Sequence, residues 1–253
     1  MNFIFVLHYY FMPLPFFYSD TITTTATTFI LNEETSKHVV QVLRMQNGDA
    51  LQLTDGKGNA YQAIITDNNR KHCCVSITKT QHTPAPTVTN CIAISLLKNT
   101  NRFEWFVEKA TELGISKIIT LVCNRTEKTA FKTERIQSIA VSAMLQSQQT
   151  WLPIITTPQN LKKIIEEEQY TNKYIAHCNE ETTKVQLQKA LAAMENYTSN
   201  TTIILIGPEG DFTVPEIDAA LQHQYQAVAL GNTRLRTETA GITAAILLTQ
   251  YSL

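Results

Sequence analysis

The sequence predicts an α/β protein in which a domain with a mainly parallel sheet follows a small β-rich domain. In residues 89–253, short apolar runs of strand character alternate with helix-like segments, which is the pattern of a parallel sheet. Residues 12–82 instead hold apolar strands that are separated by turn signals. Residues 83–88 contain two prolines in a short polar stretch and are the predicted linker.

The overall composition limits the class of protein and its partners. The chain has 253 residues, of which 43% are hydrophobic and 17% charged, as is ordinary for a globular protein. Because the formal net charge is only -1, any RNA-binding surface has to be a local patch. The five cysteines show no C-x-x-C spacing, which disfavours both a disulfide scaffold and a zinc site. We therefore expect reduced thiols, a cytoplasmic location and no bound metal.

The first residues do not have the pattern of a targeting signal. Residues 1–11 are apolar and aromatic but carry no Lys or Arg, so they make a poor secretory signal. They are also too short to span a bilayer. We expect no membrane contact and interpret residues 1–11 as a non-native or disordered extension.

The β-rich domain is predicted from strand runs and one turn. Apolar runs indicate strands at residues 50–53, 60–65 and 74–78. Residues 55–59 read Asp-Gly-Lys-Gly-Asn, which is a hairpin signal between the first two strands. Before the strands, residues 35–45 carry an apolar, helix-like patch with Arg44 beside it.

Strands and helices alternate in the second domain. Strands are predicted at residues 91–97, 117–122, 152–155, 174–178, 203–206 and 227–230. The clearest helix covers residues 102–113, with Asn101 as its N-cap and Glu104 at the reciprocal position of a capping box. A second capping box is predicted at residues 213–216. Residues 240–248 are apolar on every side, as in a helix buried inside a domain or in a subunit interface.

Two glycine-bearing loops mark the expected site. Residues 207–212 and residues 231–240 each follow a strand, and the ligand crevice of an open α/β sheet lies at the carboxyl ends of its strands. Turn geometry alone would explain either glycine taken singly, and neither loop matches a phosphate-binding or dinucleotide-binding motif. The second loop also concentrates charge, in Arg234, Arg236 and Glu238.

These two loops resemble a known family. Residues 206–212 and residues 230–240 are similar to the signature loops of ribosomal RNA small subunit methyltransferase E. The resemblance implies a SPOUT-class α/β domain with a trefoil knot, working as a homodimer, that makes 3-methyluridine in the decoding region of 16S rRNA from S-adenosylmethionine. His38–Arg44 followed by Gly48 resembles the family's N-terminal motif and implies a PUA-like, RNA-binding β-barrel.

The resemblance also implies which residues hold the cofactor. Apolar side chains and closely approaching backbone in these loops suit an adenosine-bearing ligand. His177 ends a strand in a segment that resembles the family's first cofactor loop, and we expect its backbone to be the part that contacts the ligand. The implied cofactor-binding residues are His177, Ile206, Gly207, Pro208, Glu209, Gly210, Leu230, Gly231, Leu235 and Thr237.

The candidate catalytic residues are Arg236 and Glu238. Uridine N3 has to lose a proton to attack the methyl group, and an arginine near O2 or O4 would stabilise the anion that develops. Arg236 is the candidate for that role. Glu238 is either the proton acceptor or a buried residue at a helix start that holds Arg236 or loop amides, and the sequence leaves both open.

Cations that match the family pattern are the candidates for RNA contact. From periodicity alone, Arg102 and Lys109 at the border of an apolar helical stripe favour a solvated edge. The resemblance reverses that preference and implies RNA contacts by Arg44, Lys98, Arg102, Lys109 and Arg125. The chain departs from the family pattern at Leu145 and Gln149, where relatives often have Glu and Arg, and neither receives a role.

Two further hypotheses compete with this enzyme. One is a SPOUT methyltransferase that acts on another RNA position. The other is a noncatalytic RNA-binding protein of ribosome assembly that kept the fold. The intact glycines of both loops, together with Arg236, argue against decay of the cofactor pocket.

Overall fold

The computed structural model describes residues 14–167, 169–194 and 201–251. The predicted extension at residues 1–11 lies outside the described residues. The chain forms two compact units, of which the first ends at Thr83 and the second begins at Pro84.

The first unit is built on a bent five-stranded sheet. Its strands are β1 (Phe16–Tyr18), β2 (Thr28–Ile30), β3 (Ala50–Thr54), β4 (Asn59–Asp67) and β5 (Cys74–His82). They lie in the order β1-β3-β4-β5-β2, and every pairing is antiparallel except that of β1 with β3. Register shifts between β4 and β5 bend the sheet around a core that includes Leu51, Tyr61 and Val75. The predicted hairpin at residues 55–59 is confirmed, and the Asp55 carboxylate accepts hydrogen bonds from the backbone N–H groups of Lys57 and Asn59.

The helix-like patch of the first unit is irregular. Helix α1 (Glu33–Lys37) begins at Asn32, whose side chain accepts a hydrogen bond from the Thr35 N–H group. A π-helical turn (His38–Val42) follows directly and leaves Val42 exposed. Arg44 ends this segment with a φ of 57°, a conformation that non-glycine residues adopt uncommonly.

The second unit contains a parallel sheet, as the alternating pattern predicted. Its strands are β6 (Thr89–Ser95), β7 (Lys117–Val122), β8 (Ile154–Ile155), β9 (Gln159–Asn160), β10 (Asn172–Ala176), β11 (Val185–Gln186), β12 (Thr201–Ile206) and β13 (Gln226–Ala229). The strand order is β11-β13-β10-β12-β6-β7-β8, and β9 also pairs with β7. All of these pairings are parallel.

Helices cover both faces of this sheet. They are α2 (Thr100–Glu112), α3 (Thr133–Gln146), α4 (Leu161–Glu167), α5 (Leu187–Ala192), α6 (Val214–Gln222) and α7 (Thr237–Gln250). One core cluster packs strand residues such as Ile94 and Ile204 against α2, α3, α5 and α7. The other packs alternate strand residues such as Leu205 against α4 and α6. Among the described residues, no helix is long and apolar enough to cross a membrane.

The two predicted capping boxes have different outcomes. The capping box predicted at the start of α2 is wrong. The helix begins at Thr100, two residues before the predicted start, and its N-cap is Asn99, which accepts from the Asn101 N–H group. Glu104 pairs with Arg135 instead, at 2.9 Å. The box at the start of α6 is confirmed, since the Glu216 carboxylate accepts from the Thr213 N–H group at 2.8 Å.

Helix α7 buries one side and not its whole circumference. Its buried face is made of small residues together with Glu238 and Leu248, whereas Ile246 is 39% exposed. Gly241 lies against α2 so closely that a Cβ atom there would stand 2.6 Å from the Phe106 ring and 2.9 Å from the Ile94 side chain. The missing side chain is therefore what lets α7 approach α2.

We predict that Gly241→Ala destabilises the second unit. Alanine favours a helix over glycine by about 1 kcal/mol, but overpacking a core costs about 1–3 kcal/mol. Phe106 is fully buried and cannot move aside freely, so the clash should outweigh the gain in helix propensity. Thermal unfolding should show a lower midpoint than that of Thr239→Ala, a change at an exposed position of the same helix. A midpoint at or above the wild-type value would mean that the α2–α7 contact adapts without strain.

Candidate active site

Three loops meet at the carboxyl ends of three neighbouring strands. The strand order places β13, β10 and β12 side by side, so the loops at residues 177–184, 207–213 and 230–236 share one edge of the sheet. Together with Arg102 they border a cavity of about 700 Å³. Ligand sites of small molecules have volumes of about 300–1,000 Å³. The two glycine-bearing turns therefore converge on one ligand-sized cavity, as the sequence predicted.

Most of the predicted cofactor residues border this cavity. Those that do are His177, Ile206, Gly207, Pro208, Glu209, Leu230, Gly231, Leu235 and Thr237. Gly210 borders an adjoining groove instead, beside Arg125 and Phe212. Arg236 lines the cavity, whereas Glu238 is buried behind it. Their roles toward a ligand stay predictions.

The loop at residues 207–213 is fixed by contacts with three other segments. The Glu209 carboxylate accepts a hydrogen bond from the Lys98 N–H group at 3.0 Å. The Arg125 guanidinium donates to the Gly210 carbonyl at 2.7 Å. The Asp211 carboxylate accepts from the Cys178 N–H group at 2.8 Å, although Asp211 has the unusual φ of 64°. These bonds hold the loop in one shape.

The loop at residues 177–184 closes on itself and crosses the end of β13. Ala176 and Val185 pair with Val228 from opposite sides, so the loop between them spans that strand. The Lys184 ammonium donates to the carbonyls of His177 and Asn179, at 3.2 and 2.8 Å. Sequence reasoning missed both Lys184 and Asp211. Only their membership in loops after strands could have indicated them, because their partners are backbone groups.

His177 is a buried histidine at the cavity. The residue is only 7% exposed, and neither ring nitrogen has a hydrogen-bond partner among the described residues. Burial lowers the pKa of His177, and the nearby Lys184 lowers it further, while Asp211 opposes them. The imidazole is therefore held neutral, which keeps a second positive charge away from Lys184.

The loop after β13 supplies an apolar wall and a cation. Gly231 has a φ of 150°, which L side chains rarely adopt. Leu230 and Leu235 are half-buried beside it. Arg236 is the exposed residue just before α7, and its guanidinium makes no hydrogen bond or ion pair with any residue that the structure describes. A free guanidinium at a helix N-terminus favours negative charge there.

Glu238 belongs to an ion pair between helices. It is 7% exposed, and its Oε1 atom lies 3.5 Å from Nε of Arg102. Its Oε2 atom has no partner among the described side chains and backbone groups. The expectation that Glu238 holds Arg236 or loop amides is therefore corrected: the group it pairs with is Arg102, on α2.

The residues expected to contact RNA lie in different surroundings. Arg44 is exposed in the first unit. Lys98 pairs with Glu127 at 2.8 Å. The Lys109 ammonium forms ion pairs with both Glu108 and Glu112, at 2.7 and 2.9 Å, and these two carboxylates offset its charge. Of the five candidates, Arg102 lines the large cavity and Arg125 lines the adjoining groove.

The two departures from the family pattern lie at the end of α3. The Gln149 amide donates to the carbonyls of Thr111 and Glu112, both at 3.0 Å. Gln149 thus caps two carbonyls in the last turn of α2, of which that of Thr111 also accepts from the Gly114 N–H group. Leu145 is half-buried on α3. Gln149 therefore has a structural function in this chain.

Among the described residues, no three His, Cys, Asp or Glu side chains come together as a metal ion would need. Of the charged groups around the cavity, Lys184, Glu209 and Asp211 bind backbone atoms, and Arg102 pairs with Glu238. The cavity is thus suited to an organic ligand held by backbone groups and apolar side chains.

Two family models match this chain. Residues 83–249 match the model described as an RNA methyltransferase domain, and residues 31–78 match an RNA methyltransferase PUA domain. A ribosomal RNA small subunit methyltransferase E from Rickettsia conorii is 30% identical over 82% of this chain and 83% of its own length. A protein of the same name from Synechocystis is 29% identical over 86% of this chain and 70% of its own length.

Solved structures agree with these sequence matches. A probable rRNA-methyltransferase from Porphyromonas gingivalis superposes with a TM-score of 0.85 at 32% identity, covering 94% of this chain and 98% of that one. A ribosomal RNA small subunit methyltransferase E from Neisseria gonorrhoeae, bound to S-adenosyl methionine, has a TM-score of 0.79 at 26% identity. That match covers 92% of this chain and 96% of the other. The second unit therefore has the SPOUT-type α/β fold, and the first is PUA-like.

We predict that His177 makes the stability of the second unit depend on pH. Because its folded-state pKa lies below the ordinary value of 6.5, the unfolded chain takes up the proton first as the pH falls. The stability linked to His177 is complete above pH 6.5 and is lost as the pH falls through the folded-state pKa. Between about pH 7.5 and 5.5, the midpoint of thermal unfolding should therefore fall further for the wild-type protein than for His177→Gln.

The matched control is His223→Gln, which replaces an exposed histidine of the same unit. It should follow the wild-type pH dependence. Equal losses in wild type and His177→Gln would contradict a neutral, buried His177.

Proposed function

Because the chain belongs to the ribosomal RNA small subunit methyltransferase E family, we propose that it methylates N3 of a uridine in the decoding region of 16S rRNA, using S-adenosylmethionine. The observation that carries the proposal is the convergence of the two glycine-bearing loops on one nucleoside-sized cavity, with Arg236, unpaired within the described part of the chain, at its edge. The family relation supports the reaction class. The choice of N3 and of the decoding region comes from the resemblance of the loops.

The residues around the cavity fit this cofactor. Ile206, Leu230 and Leu235 offer apolar surface for an adenosine, and the turns at Gly207 and Gly231 bring backbone N–H and C=O groups to the cavity. When bound, S-adenosylmethionine supplies an electrophilic methyl group. The remaining predicted cofactor residues, His177, Pro208, Glu209, Gly210 and Thr237, define the shape of the loops around it.

Arg236 is the residue that we assign to the reacting base. Uridine N3 becomes nucleophilic as its proton leaves, and negative charge then spreads to the neighbouring carbonyl oxygens. A guanidinium that has no partner among the residues the structure describes, placed before the N-terminus of α7, stabilises this charge without having to break such an ion pair. Positioning of the two reactants supplies much of the remaining acceleration.

Glu238 acts through Arg102 in this proposal. A buried carboxylate with Arg102 at 3.5 Å keeps that guanidinium at the wall of the cavity. Glu238 is buried behind the cavity and pairs with Arg102, which supports a positioning role over that of the proton acceptor. Its role is therefore to position Arg102.

The proposed macromolecular partner is 16S rRNA within the small ribosomal subunit, in the cytoplasm. The PUA-like unit supplies one RNA-binding surface, with the exposed Arg44 beside the exposed Val42. Lys98, Arg102 and Lys109 are proposed as phosphate contacts on the second unit. The near-neutral net charge confines such contacts to local patches.

We also propose the trefoil knot and the homodimer that the family relation implies. Strand β13 lies between β10 and β11, and residues 177–184 pass over its end, so the chain beyond Leu230 has to continue under that loop. The exposed Ile246, with the half-buried Ile242 on the same helix, supports α7 as part of a subunit interface.

The proposed reaction is tested by methyl transfer to RNA that lacks the modification. Small ribosomal subunits from a strain without this gene are incubated with the protein and labelled S-adenosylmethionine, and the nucleosides are separated by mass. We expect 3-methyluridine to form in 16S rRNA and Arg236→Ala to lower kcat by about 10²–10³-fold, because one donor to the developing anion is lost. Cofactor affinity of Arg236→Ala should stay close to wild type.

The control is Lys162→Ala, which removes an exposed cation of α4. It should leave kcat unchanged. Label in a ribose or a guanine would replace the proposed product, and an absence of both transfer and cofactor binding would favour a noncatalytic RNA-binding protein.

We predict that Glu238→Gln keeps most of the activity. Glutamine has nearly the same shape and still offers Arg102 an oxygen acceptor, so kcat should stay within about 10-fold of wild type with the same pH profile. Glu238→Ala should lose more, because it leaves Arg102 without its partner. A general base would behave otherwise: Glu238→Gln would then cost about 10²–10⁴-fold and remove one limb of the pH profile.

A further inference from the structure

Arg125 lies against the loop that is proposed to hold the cofactor. This cofactor loop comprises residues 207–213, and Arg125 follows β7. The Arg125 Nη1 atom donates to the Gly210 carbonyl at 2.7 Å and approaches the Phe212 carbonyl at 3.5 Å. Both acceptors belong to the loop, on either side of Asp211. The guanidinium thus connects two points of one turn.

Gly210 leaves room for the arginine stem. A Cβ atom at this position would stand 3.3 Å from Cδ of Arg125 and 3.4 Å from its Cβ, closer than most such contacts. The aliphatic part of Arg125 therefore covers the Gly210 backbone while its guanidinium binds the carbonyl. Packing and hydrogen bonding act at the same residue.

The segment that carries Arg125 is itself anchored. The Thr126 hydroxyl accepts from the Cys123 N–H group at 2.8 Å and lies 2.8 Å from the Ser95 hydroxyl. The Asn124 N–H group donates to the Glu216 carboxylate, also at 2.8 Å. Because hydrogen bonds fix the residues on both sides of Arg125, the backbone that carries it is held in place beside the cofactor loop.

The shape that Arg125 holds is a strained one. Asp211 has a φ of 64°, and its carboxylate accepts from the N–H groups of Cys178 and Phe212, both at 2.8 Å. Left-handed backbone at a non-glycine residue persists when its surroundings enforce it. Arg125 fixes the carbonyls on both sides of Asp211, so it is part of what enforces this turn.

We propose that Arg125 is a positioning residue that keeps the cofactor loop in its ligand-binding shape. This inference rests on the proposed function, and it differs from the phosphate contact that the family resemblance implies for Arg125. The two roles make opposite predictions. A positioning residue affects cofactor binding without RNA, whereas a phosphate contact affects RNA binding and its dependence on salt.

The test compares Arg125→Ala and Arg125→Met with wild type. Calorimetry with S-adenosylmethionine in the absence of RNA should show about 10-fold weaker binding by Arg125→Ala, as for one lost charge-assisted hydrogen bond at an exposed site. Arg125→Met keeps the aliphatic stem over Gly210, so its affinity for S-adenosylmethionine should lie between those of wild type and Arg125→Ala. The KM for S-adenosylmethionine should rise while kcat at saturating cofactor and the thermal midpoint stay near wild type.

Two measurements complete the design. The slope of rRNA affinity against salt concentration should be unchanged in Arg125→Ala, since no phosphate contact is lost. Lys128→Ala removes an exposed cation three residues further along and should leave the cofactor affinity unchanged. Wild-type affinity of Arg125→Ala for S-adenosylmethionine would overturn the inference, as would a thermal midpoint lowered enough to explain the loss. Failure of the wild-type protein to bind S-adenosylmethionine would instead overturn the proposed function.

Discussion

The site depends on the insertion of one short strand between two strands that precede it in the chain. Val228 of β13 pairs with Ala176 on one side and with Val185 on the other. Parallel pairing then brings the ends of β10, β12 and β13 to one edge of the sheet, and the loops that follow them have to meet there. Without that insertion, the apolar turn at Leu230 and the turn at Gly207 would not border the same space.

The charged residues around the cavity differ in whether they are already bound to other groups of the protein. Lys184 is bound to backbone carbonyls of its own loop, at 2.8–3.2 Å, whereas Glu209 and Asp211 are bound to backbone N–H groups of neighbouring segments, at 3.0 Å and 2.8 Å. Hydrogen bonds to charged groups contribute about 1.5–3 kcal/mol each when buried and less when exposed, so these residues chiefly fix the loops. The Arg236 guanidinium makes no such bond with any of the described residues. It is therefore available to a reacting base.

The sequence predicted the parallel sheet, the hairpin at residues 55–59 and the convergence of the two glycine-bearing loops, because apolar runs and glycines report local backbone requirements. Side-chain partners that are distant in the chain could not be predicted from the sequence. The α2 cap was placed on Asn101 although Asn99 was equally able to accept the bond. Gln149 could not be identified as the residue that satisfies carbonyls of α2, about 37 residues earlier, since nothing local requires it. The pairing of Glu238 with Arg102 was missed for the same reason.

Two polar groups beside the cavity lack hydrogen-bond partners among the described residues. They are the imidazole of His177 and one oxygen of Glu238, each in a residue that is 7% exposed. An unsatisfied buried polar group costs about 1–3 kcal/mol, which is a large fraction of the stability of an ordinary domain. Leucine or glutamine at these places would avoid part of that cost. Under the proposed function, Glu238 holds Arg102 at the cavity wall, and the lowered pKa of His177 leaves its ring uncharged beside the site of a sulfonium cofactor.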